Sequence, residues 1–193
     1  LRGEGRRLGM RVTLERTAPV DLGTPEALVV GGGPAGLMAA ETLATAGRSV
    51  LLVDAMPTMG RKFLKAGKSG LNLTRDVPED AFFARFSDGN DTFARAVRGF
   101  GPAEVKAWAE GLGEPLFTGS TKRVFPTAMK ASPLLRRWLA RLDGLGVVRR
   151  TGWRWVGWQG DVWRFDTAGG AVDVTPNVAV LALGGGSWRR LGS

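Results

Sequence analysis

The chain has 193 residues, of which 44% are hydrophobic, and its formal net charge is +9. It contains no cysteine, histidine or tyrosine, which excludes disulfides, thiol redox chemistry, Cys/His zinc sites and histidine-based triads within this segment. The absence of cysteine and histidine leads us to expect no metal, and no apolar run reaches the length of a membrane span, so no membrane partner is expected. The absence of cysteine is consistent with a cytoplasmic location.

The first 25 residues are rich in arginine and lack the continuous apolar segment of a secretory signal peptide. We expect a basic, disordered leader at 1–25, followed by one domain at 26–193. An excess of basic over acidic residues can indicate nucleic-acid or membrane-surface binding. The basic residues are spread along the chain, however, and no run of Lys and Arg exceeds two residues. An ordinary solvated surface is therefore the favoured interpretation, and no nucleic-acid partner is expected.

The first elements are a strand at about 26–31, a helix at about 34–46 and a second strand at about 49–54. Both strands are apolar at nearly every position, which is typical of a parallel sheet covered on both faces. A glycine turn joins the first strand to the helix, and an acidic residue ends the second strand. This order matches the G-x-G-x-x-G fingerprint of dinucleotide-binding folds.

Each position of the fingerprint has a physical reason. Gly31 permits the tight turn, Gly33 lets a pyrophosphate approach the backbone, and Gly36 allows close packing of helix on strand. Pro34 suits a first helical turn, where its missing N–H costs nothing. Asp54 lies 21 residues after Gly33, near the usual spacing of about 20 for a carboxylate that binds ribose hydroxyls. An acidic residue at this position favours FAD or NAD over NADP. The alternative to dinucleotide binding is a βαβ turn that is structural and holds no ligand.

The remaining elements follow in chain order. We predict a long polar loop at 57–75, and strands separated by glycine turns that form a three-stranded β-meander. The predicted helices lie at 79–86, 91–98, 102–112 and from Ser132–Pro133 onward; the predicted strands lie at 147–148, 153–158, 162–166, 171–174 and 178–183. The fold class is therefore α/β, a Rossmann-like domain in which a β-meander replaces a crossover helix.

Two further motifs give a family resemblance. The segment GRKFLKAGKSGLNLT at 60–74, and KRVFP at 122–126 followed by KAS at 130–132, are similar to segments of BaiN-like flavoproteins. This NAD(P)/FAD-dependent family includes aminoacetone oxidase-like enzymes. The chain departs from it at Gly70–Leu71, where many members carry Arg-Cys, which puts any role of that arginine or thiol in doubt. The resemblance implies an N-terminal, incomplete FAD-binding domain that precedes a substrate domain.

The resemblance also implies an oxidoreductase that binds FAD in extended form and transfers hydride through flavin N5. The redox partner would be NAD(P)H or oxygen, and the substrate a small molecule. Gly31 to Gly36 would hold the pyrophosphate, Asp54 the ribose, and the backbone near Trp155 the adenine. Lys68 would stabilise the reduced flavin. The candidate cofactor-binding residues are Gly31, Gly32, Gly33, Pro34, Ala35, Gly36, Asp54, Ala55, Arg61, Lys62, Lys68, Asn72, Leu73, Trp155 and Gly184; no catalytic residue is assigned.

Several alternatives stay open at this stage. Arg61 and Lys62 could be solvated loop charges, and Asn72 could stabilise a turn through its own side chain. The tryptophans of the meander are expected to pack one of its faces rather than to stack on a ligand. The whole protein could instead be an NAD-only dehydrogenase or a non-catalytic protein that binds flavin or nucleic acid. The β-meander favours FAD over NAD.

Overall fold

The computed structural model describes residues 24–86 and 91–187. The predicted leader, except for its last two residues, lies outside these ranges. In chain order the elements are β1 (Ala27–Val30), α1 (Pro34–Thr45), β2 (Val50–Asp54), α2 (Arg61–Ala66), β3 (Thr74–Arg75), α3 (Glu79–Phe83), a 3-10 turn (Ala84–Phe86), α4 (Asp91–Gly99), α5 (Pro102–Gly111), β4 (Leu116–Thr118), β5 (Arg123–Pro126), α6 (Ala131–Gly144), β6 (Val148–Thr151), β7 (Arg154–Gln159), β8 (Val162–Thr167), β9 (Gly170–Val174) and β10 (Val178–Leu181).

A parallel four-stranded sheet in the order β10-β1-β2-β6 forms the centre of the fold. Leu28 pairs with Leu51 in the middle of this sheet, and every residue of β1 is buried. Such burial on both faces explains why the two strands are continuous apolar runs rather than alternating ones. The predicted strand, helix and second strand at the start of the domain are confirmed to within one residue at each end.

Helices cover one face of the central sheet and the β-meander covers the other. On the helical side, Leu37 of α1 and Trp138 of α6 pack with Val29 and Leu52 in one buried cluster. On the other side, Phe165 of β8 packs with the alternate residues of β1 and β2. The predicted α/β, Rossmann-like architecture with a meander layer is thereby confirmed. Among the described helices, none is both long and apolar enough to cross a membrane.

The meander is an antiparallel sheet in the order β7-β8-β9, as predicted. A bulge shifts the register between Trp155 and Gly157, so that Trp155 and Trp158 lie on the same face although they are three residues apart. Both indoles stack on Trp163, at centroid distances of 5.4 and 5.2 Å. Trp153, Trp155 and Trp163 pack against the central sheet, as predicted for the meander tryptophans, whereas Trp158 is 58% exposed.

The segment between β2 and α3 corrects the prediction of a structureless loop at 57–75. Gly60 adopts a left-handed conformation (φ 70°) and is the N-cap residue of the six-residue helix α2. Thr74–Arg75 then forms β3, which joins β5 and β4 in a second small antiparallel sheet. Strands β4 and β5 were not predicted. The other predicted helices and strands are present, with ends that differ by up to three residues.

Candidate functional site

A cleft with a volume of about 560 Å³ lies at the carboxyl edge of the central sheet. This edge is where open α/β sheets bind their ligands. The cleft is lined by the glycine turn, the residues after β2 and β10, and the starts of α2 and β7. The lining residues are Val30, Gly31, Gly32, Gly33, Pro34, Ala35, Asp54, Ala55, Met56, Thr58, Gly60, Arg61, Lys62, Trp153, Arg154, Trp155, Ala182, Leu183 and Gly184.

The three fingerprint glycines have different structural reasons. Gly31 has a φ of +111°, and a Cβ there would lie 2.3 Å from the carbonyl oxygen of Ala182 on the neighbouring strand end. A Cβ at Gly36 would lie 1.8 Å from the carbonyl oxygen of Gly31. A Cβ at Gly33 would have no heavy atom within 4 Å. The first and third glycines are therefore needed for the fold, whereas Gly33 leaves open space at the cleft.

Replacing Gly36 with alanine is expected to lower the free energy of unfolding by about 2 kcal/mol, because the added methyl group cannot fit without a backbone shift. Urea unfolding followed by circular dichroism measures this change. Gly144→Ala is the matched control, since a Cβ at this helical position meets no atom within 4 Å. Equal stability of the Gly36 variant and the control would contradict the close contact between α1 and the turn.

The N-terminus of α1 faces the cleft without a capping side chain. Gly33 is its N-cap residue, Pro34 follows, and no acidic residue lies in the first turn. The N–H groups of Ala35 and Gly36 therefore have no acceptor within the helix. Because these groups and the helix dipole carry partial positive charge, this end of the cleft favours an anion.

Asp54 is held firmly at the end of β2. Its Oδ2 accepts a hydrogen bond from Gly32 N at 2.6 Å, and its Oδ1 accepts one from Met56 N at 2.7 Å. Each carboxylate oxygen keeps capacity for a second donor, such as a ribose hydroxyl. Trp153 N donates to the Asp54 carbonyl at 3.0 Å, so the meander is tied directly to this residue and closes that side of the cleft.

Two positively charged side chains, Arg61 and Lys62, also line the cleft. The Nε of Arg61 is buried and has no hydrogen-bond partner among the described residues. Lys62 Nζ donates to the carbonyl of Gly185 at 2.7 Å and so links α2 to the glycine turn after β10. An unsatisfied buried donor costs about 1–3 kcal/mol. The orphaned Arg61 Nε, the open position at Gly33 and the uncapped helix thus fit a phosphate-containing cofactor.

The structure brings most of the sequence-predicted site residues together. The candidates in the cleft lining are Gly31, Gly32, Gly33, Pro34, Ala35, Asp54, Ala55, Arg61, Lys62, Trp155 and Gly184. Gly36 is buried behind the turn. Lys68, Asn72 and Leu73 lie outside this lining; Lys68 and Asn72 are exposed, and Leu73 N donates to Val124 O.

Sequence reasoning missed several lining residues. Among them are Met56, Thr58, Trp153 and Arg154. No local pattern marks these positions, because they reach the cleft through the backbone hydrogen bonds between the start of the meander and the segment after β2. Gly60 is different, since a glycine before an Arg-Lys pair is a possible helix start. The left-handed backbone of Gly60 is seen only in the structure.

Among the solved structures similar to this chain are a fumarate reductase, a dehydrogenase and the protein THI4. A flavocytochrome c3 fumarate reductase has a TM-score of 0.65 and 23% identity over 87% of this chain and 34% of its own. The 3-ketosteroid-Δ4-(5α)-dehydrogenase from Rhodococcus jostii RHA1 has a TM-score of 0.61 and 17% identity over 83% and 46%. THI4 from Thermovibrio ammonificans has a TM-score of 0.56 and 14% identity over 83% and 58%. This chain spans less than two thirds of each, and the likeness is one of fold.

A comparison with curated proteins gives no match. The model of the HI0933-like protein Rossmann domain matches residues 25–193, which covers nearly the whole chain and both motif segments. The chain therefore belongs to the HI0933-like family of Rossmann domains, which confirms the resemblance to BaiN-like flavoproteins.

Proposed function

We propose that this chain is the FAD-binding portion of a flavin-dependent oxidoreductase that acts on a small-molecule substrate. One observation carries the proposal: a single cleft combines an uncapped helix N-terminus beside an open Gly33 with the fixed carboxylate of Asp54. These groups match the two polar parts of an ADP moiety, its pyrophosphate and its ribose.

The pyrophosphate would lie over the glycine turn. The N–H groups of Ala35 and Gly36 supply donors, and Gly33 has no side chain in the way. Arg61 and Lys62 line the same cleft and place positive charge beside the dianion. Charge-assisted hydrogen bonds of this kind are about twice as strong as neutral ones, and the buried Arg61 Nε would gain its missing acceptor.

The adenosine would lie between the end of β2 and the meander. Asp54 would accept hydrogen bonds from the ribose hydroxyls while it keeps its two backbone donors. Ala55 and Trp155 also line the cleft, so the adenine would pack near the first residues of β7. The aspartate disfavours a 2′-phosphate through charge repulsion, which supports FAD rather than NADP.

The flavin would extend toward the turn after β10, where Gly184 lines the cleft. Lys68, Asn72 and Leu73 are proposed to contact it, with Lys68 near the flavin edge that becomes anionic on reduction. Bound FAD supplies the two-electron chemistry, and the protein supplies position and electrostatics. NAD(P)H or oxygen is proposed as the redox partner, and the cytoplasm as the location.

An absorbance spectrum of the full-length protein tests this proposal. We expect flavin bands in the visible after incubation with FAD and gel filtration, and bleaching of these bands on anaerobic addition of NADH if the donor is a nicotinamide. A colourless protein that stays without flavin after incubation would overturn the proposal. Bound NADH without any retained flavin would favour an NAD-only dehydrogenase instead.

A further inference from the structure

The small sheet of β3, β5 and β4 has one face whose side chains the proposed cofactor site does not use. Arg75 lies directly opposite Arg123, and Phe117 lies directly opposite Phe125. Because side chains alternate along a strand, Arg123 and Phe125 point to the same side. These four residues are the arginine–phenylalanine face. Val124, between the two, points to the other side and is buried.

Two arginines placed directly opposite each other are unfavourable without a counter-ion. Opposed side chains in an antiparallel pair have Cβ atoms about 5 Å apart, and like charges there are destabilising. Among the described residues, no hydrogen bond or ion pair reaches the Arg123 guanidinium. Arg75 donates from Nη2 to the Thr121 carbonyl at 3.1 Å, but its Nε is buried and has no partner within the described chain.

The acid next to this pair does not neutralise it. Asp76 receives hydrogen bonds from Lys106 Nζ at 3.1 Å and from Thr118 Oγ1 at 3.4 Å. Thr118 pairs with Val124, so Asp76 belongs to the opposite side of the sheet. The hydrogen bond from Lys106 lowers the pKa of Asp76 below its ordinary value. Asp76 is therefore an ionised carboxylate with other partners, and within the described ranges no acidic side chain pairs with either arginine.

The aromatic half of the face is a stacked pair open to solvent. The rings of Phe117 and Phe125 are 5.7 Å apart at an interplanar angle of 27°, and Phe117 is 42% exposed. The face also adjoins the segment proposed to line the flavin. Leu73 N donates to the Val124 carbonyl at 3.0 Å, and a Cβ at Gly70 would lie 4.0 Å from a ring carbon of Phe125.

We infer that the arginine–phenylalanine face binds a planar organic anion, with an aromatic carboxylate as the simplest member of the class. A guanidinium fork matches a carboxylate in two parallel hydrogen bonds, and a phenyl ring accommodates a flat unsaturated group in an offset stack. The assignment of this face as a substrate-binding surface rests on the proposed function, because it assumes that residues 70–73 line the flavin. The assignment of the face as an anion-binding surface depends only on its four side chains.

Benzoate is the probe for this site. Titration of the full-length protein, followed by ligand-observed NMR, should give saturable binding. Cyclohexanecarboxylate, which has the charge without the planar ring, and benzyl alcohol, which has the ring without the charge, should both bind more weakly. Arg123→Gln should weaken benzoate binding about tenfold, the effect of losing one charge-assisted hydrogen-bonding group.

Lys122→Gln is the matched control, because it removes the same charge one residue away. The ammonium of Lys122 lies close enough to Asp76 to lower the pKa of that carboxyl. It therefore lies on the side of the sheet opposite the arginine–phenylalanine face. Benzoate affinity should stay within twofold of the unmodified protein in this variant. An equal loss in both variants would show a diffuse charge effect and would overturn the assignment.

Arg123→Glu separates binding from folding. It places a carboxylate opposite Arg75 and turns a repulsive cross-strand pair into an attractive one. The melting temperature should therefore rise while benzoate binding is lost. A fall in melting temperature with retained benzoate binding would overturn the inference, as would the absence of saturable benzoate binding to the unmodified protein. Neither outcome depends on FAD retention, so a failure here is distinguishable from a failure of the proposed function.

Discussion

Replacing Gly33 with valine is expected to weaken FAD binding about 100-fold, which corresponds to about 2.7 kcal/mol. Gly33 has a φ of −80° and a ψ of −178°, an extended conformation that valine adopts readily. The new side chain meets no protein atom near its Cβ, so it occupies space at the cleft and displaces the pyrophosphate. The free energy of unfolding should change by no more than about 1 kcal/mol, the usual effect at an N-cap position. Flavin fluorescence titration measures the affinity, and circular dichroism checks the fold.

Gly144→Val serves as the control for this substitution. A Cβ there also meets no heavy atom within 4 Å, and the position ends α6, outside the lining of the cleft. This variant should bind FAD as the unmodified protein does. Retention of full FAD affinity by Gly33→Val would mean that the phosphates do not lie over the glycine turn.

Replacing Glu41 with alanine is expected to lower the free energy of unfolding by about 3 kcal/mol. Glu41 lies on α1, and its side chain is 11% exposed. Its Oε2 accepts hydrogen bonds from the indole N–H groups of Trp108 at 3.2 Å and Trp138 at 2.6 Å, and its Oε1 accepts one from Arg141 at 2.8 Å. The substitution leaves all three donors without their acceptor at the junction of α1, α5 and α6. Urea unfolding monitored by tryptophan fluorescence measures the loss.

Glu110→Ala is the control for the Glu41 variant. Glu110 is an exposed residue of α5, and surface substitutions of this kind change stability by about 0.5 kcal/mol or less. A Glu41 variant as stable as the Glu110 variant would show that the carboxylate does not hold the three helices together. Because α1 presents its N-terminus to the cleft, a destabilised Glu41 variant should also bind FAD less tightly.

The elements predicted well from the sequence are those with a strong local pattern. Strands β1 and β2 are continuous apolar runs, and α1 begins at a Gly-Pro pair and is followed by Gly47 in a left-handed conformation, a common helix end. The meander strands are separated by glycine turns. In each of these cases, the local residues and the tertiary contacts favour the same conformation.

The elements that the sequence did not predict depend on partners distant in the chain. β3 has two residues and β4 has three, too few for a period-2 pattern. β3 exists because Thr74 pairs with Val124, fifty positions further along the chain. α2 has six residues and no buried position, so it has no apolar stripe to recognise.

The candidate site likewise has one part that the sequence predicts and another part that it does not. The glycine turn and Asp54 follow from the fingerprint, because a βαβ unit brings the strand ends and the helix start to one edge of the sheet. The contributions of Met56, Trp153 and Arg154 require the hydrogen bonds from Gly152 and Trp153 to the segment after β2. No spacing rule encodes that contact. The proposed roles of Lys68, Asn72 and Leu73 come from the resemblance and stay predictions.

The most direct test of the account is a comparison of FAD, FMN and ADP binding to the full-length protein. FMN carries the flavin without the adenosine, and ADP carries the adenosine and pyrophosphate without the flavin. If the cleft holds the pyrophosphate over Gly33 and the ribose at Asp54, FAD should bind most tightly, ADP should compete with it, and FMN should bind weakly. Equal affinity for FMN and FAD, together with no displacement of FAD by ADP, would contradict the assignment of this cleft to the cofactor.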